Sequence, residues 1–185
     1  MSTEALVYPF SFGDRTMADL LGGKGANLSE MTRMGLPVPP GFTITTQACR
    51  EFLSSGIIPS TLNSEIQSAL GDLEKTLGKK FGDPKNPLLV SVRSGAKFSM
   101  PGMMETVLNV GMTPEVAQAL AVQTGDAEFA WDSYRRFVDM YGRIVCDIPP
   151  PDFHKVQARI LESFAVSSVQ ELKVDGLKAL SQALI

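Results

Sequence analysis

The chain has 185 residues, 44% of them hydrophobic, and carries a formal net charge of −3 with an isoelectric point near 5.2. This length and hydrophobic content can build one sizeable core with a second small lobe, while the acidic balance gives no electrostatic basis for binding nucleic acid or an anionic membrane. The apolar runs are too short to span a bilayer, and the N-terminal residues do not resemble a secretory signal. We therefore expect a globular cytoplasmic protein in which Cys49 and Cys146, without metal or redox spacing, are buried and reduced.

The first part of the chain combines short strand signals with short helix signals. The aromatic residues of LVYPFSF (6–12) favour a strand. GGKGANLSEMTRMG (22–35) then places apolar residues at helical spacing and ends on Gly35, in the position of a C-terminal cap. The β-branched GFTITT that follows predicts another strand, after which Thr45 or Thr46 can cap a helix.

The next strand signal is PLLVSVRSG (87–95), a continuous apolar stretch that we expect to be buried and that leads into Arg93. The loop AKFSMPGMME follows, and TVLNVG from Thr106 predicts a further short strand. Three methionines make the loop apolar and flexible. A mobile lid over a nucleotide is one interpretation of this loop, and side chains that fill the core beneath a turn are the other.

Beyond Met112 the signals are those of helices alone. Thr113 followed by Pro114 predicts an N-cap and a proline at the first helical position. Residues 126–145 carry apolar side chains at helical spacing, and Asp152 can cap another helix. The sequence therefore predicts an α/β lobe over residues 1–112 and a helical subdomain over residues 113–185.

The last predicted helix begins near Asp175 and has no stop signal. It carries an apolar face that we expect to be exposed and to favour association, formed by Leu177, Leu180, Leu184 and Ile185. This ending also indicates that the chain belongs to a longer protein.

Lys24 is the first candidate site residue. Glycines at positions 22, 23 and 25 permit positive φ angles and a close approach of a ligand to the backbone. The helix that follows directs its free N–H groups and positive dipole end at the same place, where a lysine adds a charge suited to a phosphate oxygen. The spacing differs from that of a Walker A loop, so a glycine-rich turn with a solvated lysine stays open as the alternative.

Arg93 is the second candidate. It stands at the end of an apolar strand, where the ligands of α/β sheets gather, and an arginine in such a place meets an anion or a carboxylate. Ser94 and Gly95 add a hydroxyl group and backbone freedom. We expect the charged groups of Lys24 and Arg93 to converge on one polyphosphate.

Two stretches together, GGKGANLSEMTRMGLPVPPGFTITT and VSVRSGAKFSMPGMMETVLNVG, closely resemble the N-terminal region of the pyruvate phosphate dikinase family, in the family's order and separation. SYRRFVDMYGRIV resembles the helix that follows them in that family. Phosphoenolpyruvate synthases share the glycine-lysine-glycine and SVRS elements but not, as a rule, SMPGMMET. The resemblance favours the dikinase over the alternatives, which are a synthase-like or other ATP-grasp kinase and a non-catalytic nucleotide-binding module.

This resemblance implies an α/β (α+β) fold that forms the first part of an ATP-grasp nucleotide-binding domain. It implies that Lys24 binds ATP, that Arg93 contacts the phosphates, and that Gly102 and Thr106 add backbone and hydroxyl contacts. In the family, ATP and phosphate serve to phosphorylate a carrier histidine. That histidine passes the group to pyruvate, giving phosphoenolpyruvate, AMP and diphosphate with the help of Mg²⁺ and a monovalent cation.

The chain also departs from the family's pattern. The carrier-histidine motif is absent, and the single histidine, His154, does not match it and is predicted to lie on a helix surface. We interpret Asp14, Asp19 and Glu30 as solvated helix charges, and the family's metal ligands lie beyond this chain. We therefore expect no catalytic residue and no metal ligand here, no activity from this part alone, and a homodimer for the whole enzyme.

Overall fold

The computed structural model describes residues 5–95 and 106–185, and within these ranges it is a mixed α/β structure, as predicted. In chain order the elements are β1 (Val7–Pro9), a 3-10 helix (Arg15–Met17), α1 (Ala18–Arg33), β2 (Phe42–Ile44), α2 (Thr46–Ser55), α3 (Leu62–Leu77), β3 (Lys80–Phe81), β4 (Pro87–Leu88), β5 (Val90–Arg93), β6 (Thr106–Val110), α4 (Pro114–Thr124), α5 (Ala127–Ile144), α6 (Pro150–Ser163), a second 3-10 helix (Val169–Glu171) and α7 (Val174–Ala183).

The strands of the described ranges pair into three two-stranded sheets. β1 and β2 are antiparallel, β3 and β4 are parallel, and β5 and β6 are antiparallel. The strands are two to five residues long, so the cores depend mainly on the helices that pack around them.

The chain divides into two compact units. The N-terminal unit contains the described residues up to Gly78 together with Ser94 and Gly95, and the C-terminal unit contains Lys79–Arg93 and the described residues from Thr106 onward. All described strands precede Met112, and helices alone follow it in the described part of the chain. Residue 112 therefore marks a change in secondary structure, while a domain boundary between residues 1–112 and 113–185 stays a prediction.

The N-terminal unit is organised around the β1–β2 pair, in which Val7 lies opposite Ile44. The Thr45 hydroxyl accepts the N–H of Ala48 and caps α2, as predicted for one of two threonines. Helix α3, which the sequence patterns did not predict, presents Glu65, whose carboxylate accepts backbone N–H groups at the start of β1. This carboxylate therefore joins α3 to the small sheet.

The C-terminal unit is built on two capped helices and their partner α7. Thr113 caps α4 as predicted, and Asp126 caps α5 by accepting the N–H of Phe129. The core that α4, α5 and α7 share is apolar, and its buried members are Met112, Val116, Ala117, Trp131, Tyr134, Val138, Leu172, Leu177 and Leu180. None of the helices in the two described ranges is long and apolar enough to cross a lipid bilayer.

Three expectations about burial and capping are wrong. Leu177 and Leu180 are 2% and 1% exposed, because the apolar face of α7 packs on α5, although Ile185 at the end is exposed. Cys49 and Cys146 are both exposed. Pro149 occupies the N-cap position of α6, and Asp152 lies in the first turn of that helix.

Candidate functional site

Lys24 lies just after a sharp break in α1. Gly22 has φ 70° and ψ 164°, a conformation that is essentially confined to glycine. The helix resumes at Gly23, so Lys24 occupies the first turn of the segment 23–33. N–H groups in a first helical turn lack acceptors inside the helix and carry the positive end of its dipole. The backbone and the lysine charge together form a positively charged feature of the N-terminal unit.

The Lys24 side chain is half-buried and makes no hydrogen bond or ion pair with any residue that the structure describes. Two of the three neighbouring glycines have different roles. Gly22 supplies the positive φ that the sequence predicted, whereas Gly25 is helical and buried against the Thr43 side chain of β2. Gly25 therefore permits close packing of helix on strand, and the prediction that it frees the backbone for a ligand is wrong for this residue.

Two acidic residues interpreted as solvated charges, Asp14 and Glu30, are partly exposed but also make structural contacts. Asp14 accepts the N–H and the hydroxyl of Thr16 at 2.8 and 2.5 Å, and these hydrogen bonds lower the pKa of Asp14. Glu30 accepts the N–H of Arg15 at 3.3 Å and pairs with Arg33 at 3.0 Å. Asp14 thereby caps the 3-10 helix, and Glu30 joins that helix to α1.

Arg93 and Thr106 lie directly opposite one another in the antiparallel β5–β6 pair. Side chains at directly opposite positions share one face of a sheet, with Cβ atoms about 5 Å apart. Arg93 is exposed, Thr106 is half-buried, and Arg93 has no ion-pair partner within the described ranges. The C-terminal unit thus presents an exposed guanidinium group beside a hydroxyl group, a combination suited to a phosphate.

The strand that leads to Arg93 is not the buried strand that the sequence predicts. It is divided into β4 and β5, and Val92 of β5 is 53% exposed. Among the described strands, β5 pairs with β6 alone, and the register shifts between Val90 and Val92. In β5 the residues from Ser91 to Arg93 are exposed, whereas Val107 of its partner β6 is buried.

The predicted site residues fall into separate groups. Lys24 belongs to the N-terminal unit, while Arg93 and Thr106 belong to the C-terminal unit. Gly102 and the methionines of the loop lie outside the described residues. The structure thus brings Arg93 and Thr106 together, and the convergence of Lys24 and Arg93 stays a prediction.

His154 is exposed on α6, as predicted, and lies near Asp139 and Arg143 in a polar depression. A second, apolar depression runs along α4 beside Trp131. Neither depression is lined by Lys24, Arg93 or Thr106. In the described ranges, no group of three or more histidine, cysteine, aspartate or glutamate side chains could hold a metal ion.

The sequence patterns missed two contacts of the α1 segments on either side of Gly22. Thr43 packs on Gly25, and the Thr46 hydroxyl donates a hydrogen bond to the backbone carbonyl of Asp19. Both contacts join positions 18 to 27 residues apart in the chain, so no local spacing rule identifies them. The β-branched strand GFTITT was itself recognisable, but its contact with the glycine-rich segment was not.

Comparison with known proteins gives one consistent family. The family model described as "Pyruvate phosphate dikinase, AMP/ATP-binding domain" matches residues 18–59 and 54–174. A pyruvate, phosphate dikinase of Clostridium symbiosum is 48% identical over 177 residues, which are 95% of this chain and 20% of that protein. The chloroplastic enzyme 1 of Zea mays is 49% identical over 92% of this chain and 18% of its own length, and the Entamoeba histolytica enzyme is 46% identical over 97% and 20%. The chain thus spans about a fifth of the length of the curated relatives it matches.

Proposed function

The chain belongs to the pyruvate phosphate dikinase AMP/ATP-binding domain family, which is of the ATP-grasp type, and from this membership we propose that it holds the phosphates of ATP in a pyruvate, phosphate dikinase. The observation that carries the proposal is the pairing of Arg93 with Thr106, an exposed guanidinium beside a hydroxyl, within the region that the family model matches. The identity to dikinases over nearly the whole chain favours this activity over that of a synthase-like kinase.

In this proposal Lys24 provides a point charge for a phosphate oxygen, supported by the N–H groups of the first helical turn after Gly22. Arg93 provides a planar donor that can bind two phosphate oxygens at once. The Thr106 hydroxyl adds a neutral donor on the same face of the β5–β6 pair. Gly102, in the loop outside the described residues, contributes backbone contacts to the same phosphates.

These groups have a clear part in phosphoryl transfer. The reaction develops charge on the oxygens of the transferred group, and fixed positive groups stabilise that charge without reorganising.

The whole enzyme then acts as a cytoplasmic, homodimeric transferase. It uses ATP and phosphate to phosphorylate a carrier histidine and convert pyruvate to phosphoenolpyruvate, with release of AMP and diphosphate. Mg²⁺ and a monovalent cation assist, and the described residues offer no cluster of three or more acidic, histidine or cysteine side chains for a metal. This part of the enzyme binds ATP without turning it over.

The proposal is tested by titrating ATP into the chain and into two variants, with chemical-shift changes as the measurement. Lys24→Ala and Arg93→Ala should each weaken ATP binding about tenfold, because each removes a charge-assisted hydrogen bond. Lys155→Ala and Arg159→Ala are the matched controls, since both side chains are exposed on α6. These controls should bind ATP as the parent chain does.

Three results would overturn the proposal. The parent chain could show no ATP-dependent shifts up to millimolar ATP. The Lys24 and Arg93 variants could bind ATP as tightly as the parent chain. Alternatively, the α6 controls could lose as much affinity as the site variants, which would reveal a nonspecific effect of net charge.

A further inference from the structure

The break in α1 is held on both sides by the β2–α2 segment. Before the break, the Thr46 hydroxyl donates a hydrogen bond to the carbonyl of Asp19. After the break, the Thr43 side chain lies against Gly25. Along the chain, the two contacts lie on either side of Gly22, where the backbone leaves the helical conformation, and of Lys24, which follows it.

The contact at Gly25 is close enough to fix the position of the helix. A Cβ atom built on Gly25 would lie 2.8 Å from Oγ1 and 2.9 Å from Cγ2 of Thr43. Both branches of the threonine side chain face the glycine, so rotation about χ1 exchanges one close atom for another. The backbone of Thr43 is held in turn by its pairing with Tyr8 of β1.

The contact at Asp19 acts on the other side of the break. Gly22 departs from the helical conformation, so carbonyl groups near the end of the preceding segment need hydrogen-bond donors from outside the regular helical pattern. Thr46 supplies such a donor at the first position of α2. Short-range contacts on both sides restrict how far the segment that bears Lys24 can shift or rotate.

We propose that Thr43 and Thr46 are positioning residues for Lys24: they hold the break at Gly22 and thereby set where the lysine ammonium and the first-turn N–H groups stand. This inference rests on the proposed function of Lys24 in binding ATP phosphates. A charged group contributes to binding in proportion to how well its geometry is fixed before the ligand arrives. Neither threonine is assigned a contact with the nucleotide.

The variants that test this proposal have matched controls in α3. Gly25→Ala should weaken ATP binding about tenfold. Its new methyl group would meet Thr43 and displace the segment that bears Lys24, so that the lysine loses its charge-assisted hydrogen bond to the phosphates. Gly71→Ala is its control, because Gly71 lies within a helix and a methyl group added there would have no atom within 4 Å. Adding Thr43→Ala to Gly25→Ala should restore most of the affinity by removing both close atoms.

Thr46→Val removes the hydroxyl donor with little change of shape and should weaken ATP binding roughly threefold. Thr76→Val is its control, since the Thr76 hydroxyl donates to the Asp72 carbonyl within α3. Thermal unfolding is recorded for every variant. If Gly25→Ala does not fold, Thr46→Val carries the test.

The decisive measurement repeats Gly25→Ala and Thr46→Val in a Lys24→Ala background. Lys24→Ala removes the ammonium group but leaves the first-turn N–H groups, so each change should weaken ATP binding less in that background than in the parent chain. Equal losses in both backgrounds would mean a general structural role and would overturn the proposal. Unchanged affinity on Gly25→Ala and Thr46→Val, with Lys24→Ala weakening binding, would also overturn it.

The amide shifts of Gly23 and Lys24 in the ATP-free chain separate this inference from the proposed function. Gly25→Ala should move both signals, and Thr43→Ala should move them back, whether or not ATP binds. If Lys24→Ala leaves ATP affinity unchanged while these shifts respond as expected, the proposed function of Lys24 fails. The inference that Thr43 and Thr46 position the helix segment after Gly22 then still holds. Amide shifts of Gly23 and Lys24 that do not respond to Gly25→Ala would refute the positioning of this segment by Thr43.

Discussion

Tyr134 is a polar aromatic residue placed inside the core of the C-terminal unit. It is 5% exposed and meets Trp131 edge to face, with ring centroids 5.9 Å apart. Burial raises the pKa of Tyr134 above its ordinary value of 10.0, and the negative charge of Glu115 raises it further. The neutral phenol is therefore the form that the folded state favours.

This shift predicts a loss of stability at alkaline pH. Below about pH 10 the phenol is neutral in both states, so its contribution to the free energy of unfolding is complete. As the pH rises past the unfolded value, the unfolded chain releases the proton while the folded chain retains it, and unfolding becomes easier. Urea unfolding should therefore show a decline above about pH 10 that is smaller in Tyr134→Phe. Equal declines in the two proteins would contradict the assignment to Tyr134.

The roles most predictable from sequence are those that depend only on neighbouring residues, such as helix caps and positive φ angles at glycine. Thr45 and Thr113 cap helices because a threonine hydroxyl accepts a first-turn N–H, and Gly35 takes a positive φ after α1. The break at Gly22 was predicted only as glycine freedom, and the role of Gly25 was misjudged. Its packing against Thr43 depends on a partner 18 residues away, which local sequence does not report.

At the scale of elements, the contact of α7 with α5 contributes to the stability of the C-terminal unit. Leu180 is 1% exposed and belongs to the core that the two helices share. Leu180→Ala should lower the free energy of unfolding by about 2–5 kcal/mol, because it removes apolar burial and leaves a cavity. Leu53→Ala is the matched control, since Leu53 lies in α2 and is 75% exposed.

The control should change the free energy of unfolding by less than about 0.5 kcal/mol, as is usual for an exposed position. Denaturant unfolding of both variants measures the difference. A loss below about 1 kcal/mol for Leu180→Ala would show that the packed face of α7 adds little.

Elements with strong periodicity were predictable from sequence, and short strands were not. α5 was predicted because apolar residues recur along it at helical spacing, and its buried members include Ala130, Trp131 and Val138. The stretch 87–95 is as apolar as a buried strand, yet it divides into β4 and β5 and exposes Val92. The sequence pattern indicates which residues can be buried, but the elements that pack over them, which local sequence does not show, decide whether they are.

At the scale of the whole molecule, the apolar core is unequally distributed between the two units. The core shared by α4, α5 and α7 lies within the C-terminal unit and contains large side chains such as Trp131 and Leu180. The buried apolar side chains of the N-terminal unit are smaller in number and size, and within the described ranges they are Leu6, Leu21, Ala26, Ala48 and Leu73. The sequence indicated a change of secondary structure near residue 112, but β5 and β6 join the helices in one unit because β6 packs on α5.

This distribution predicts which parts of the chain open first. Local opening is easiest where few apolar contacts must be broken, so amide hydrogen exchange should be slowest in α5 and α7 and faster in α1 and α3. Exchange followed by mass spectrometry of peptides measures this order directly. Leu180→Ala should accelerate exchange in α5 and α7 by more than in α1 and α3, because its cavity lies in the core of the C-terminal unit. Slower exchange in α1 than in α5 would show that contacts other than the buried apolar core govern the stability of this molecule.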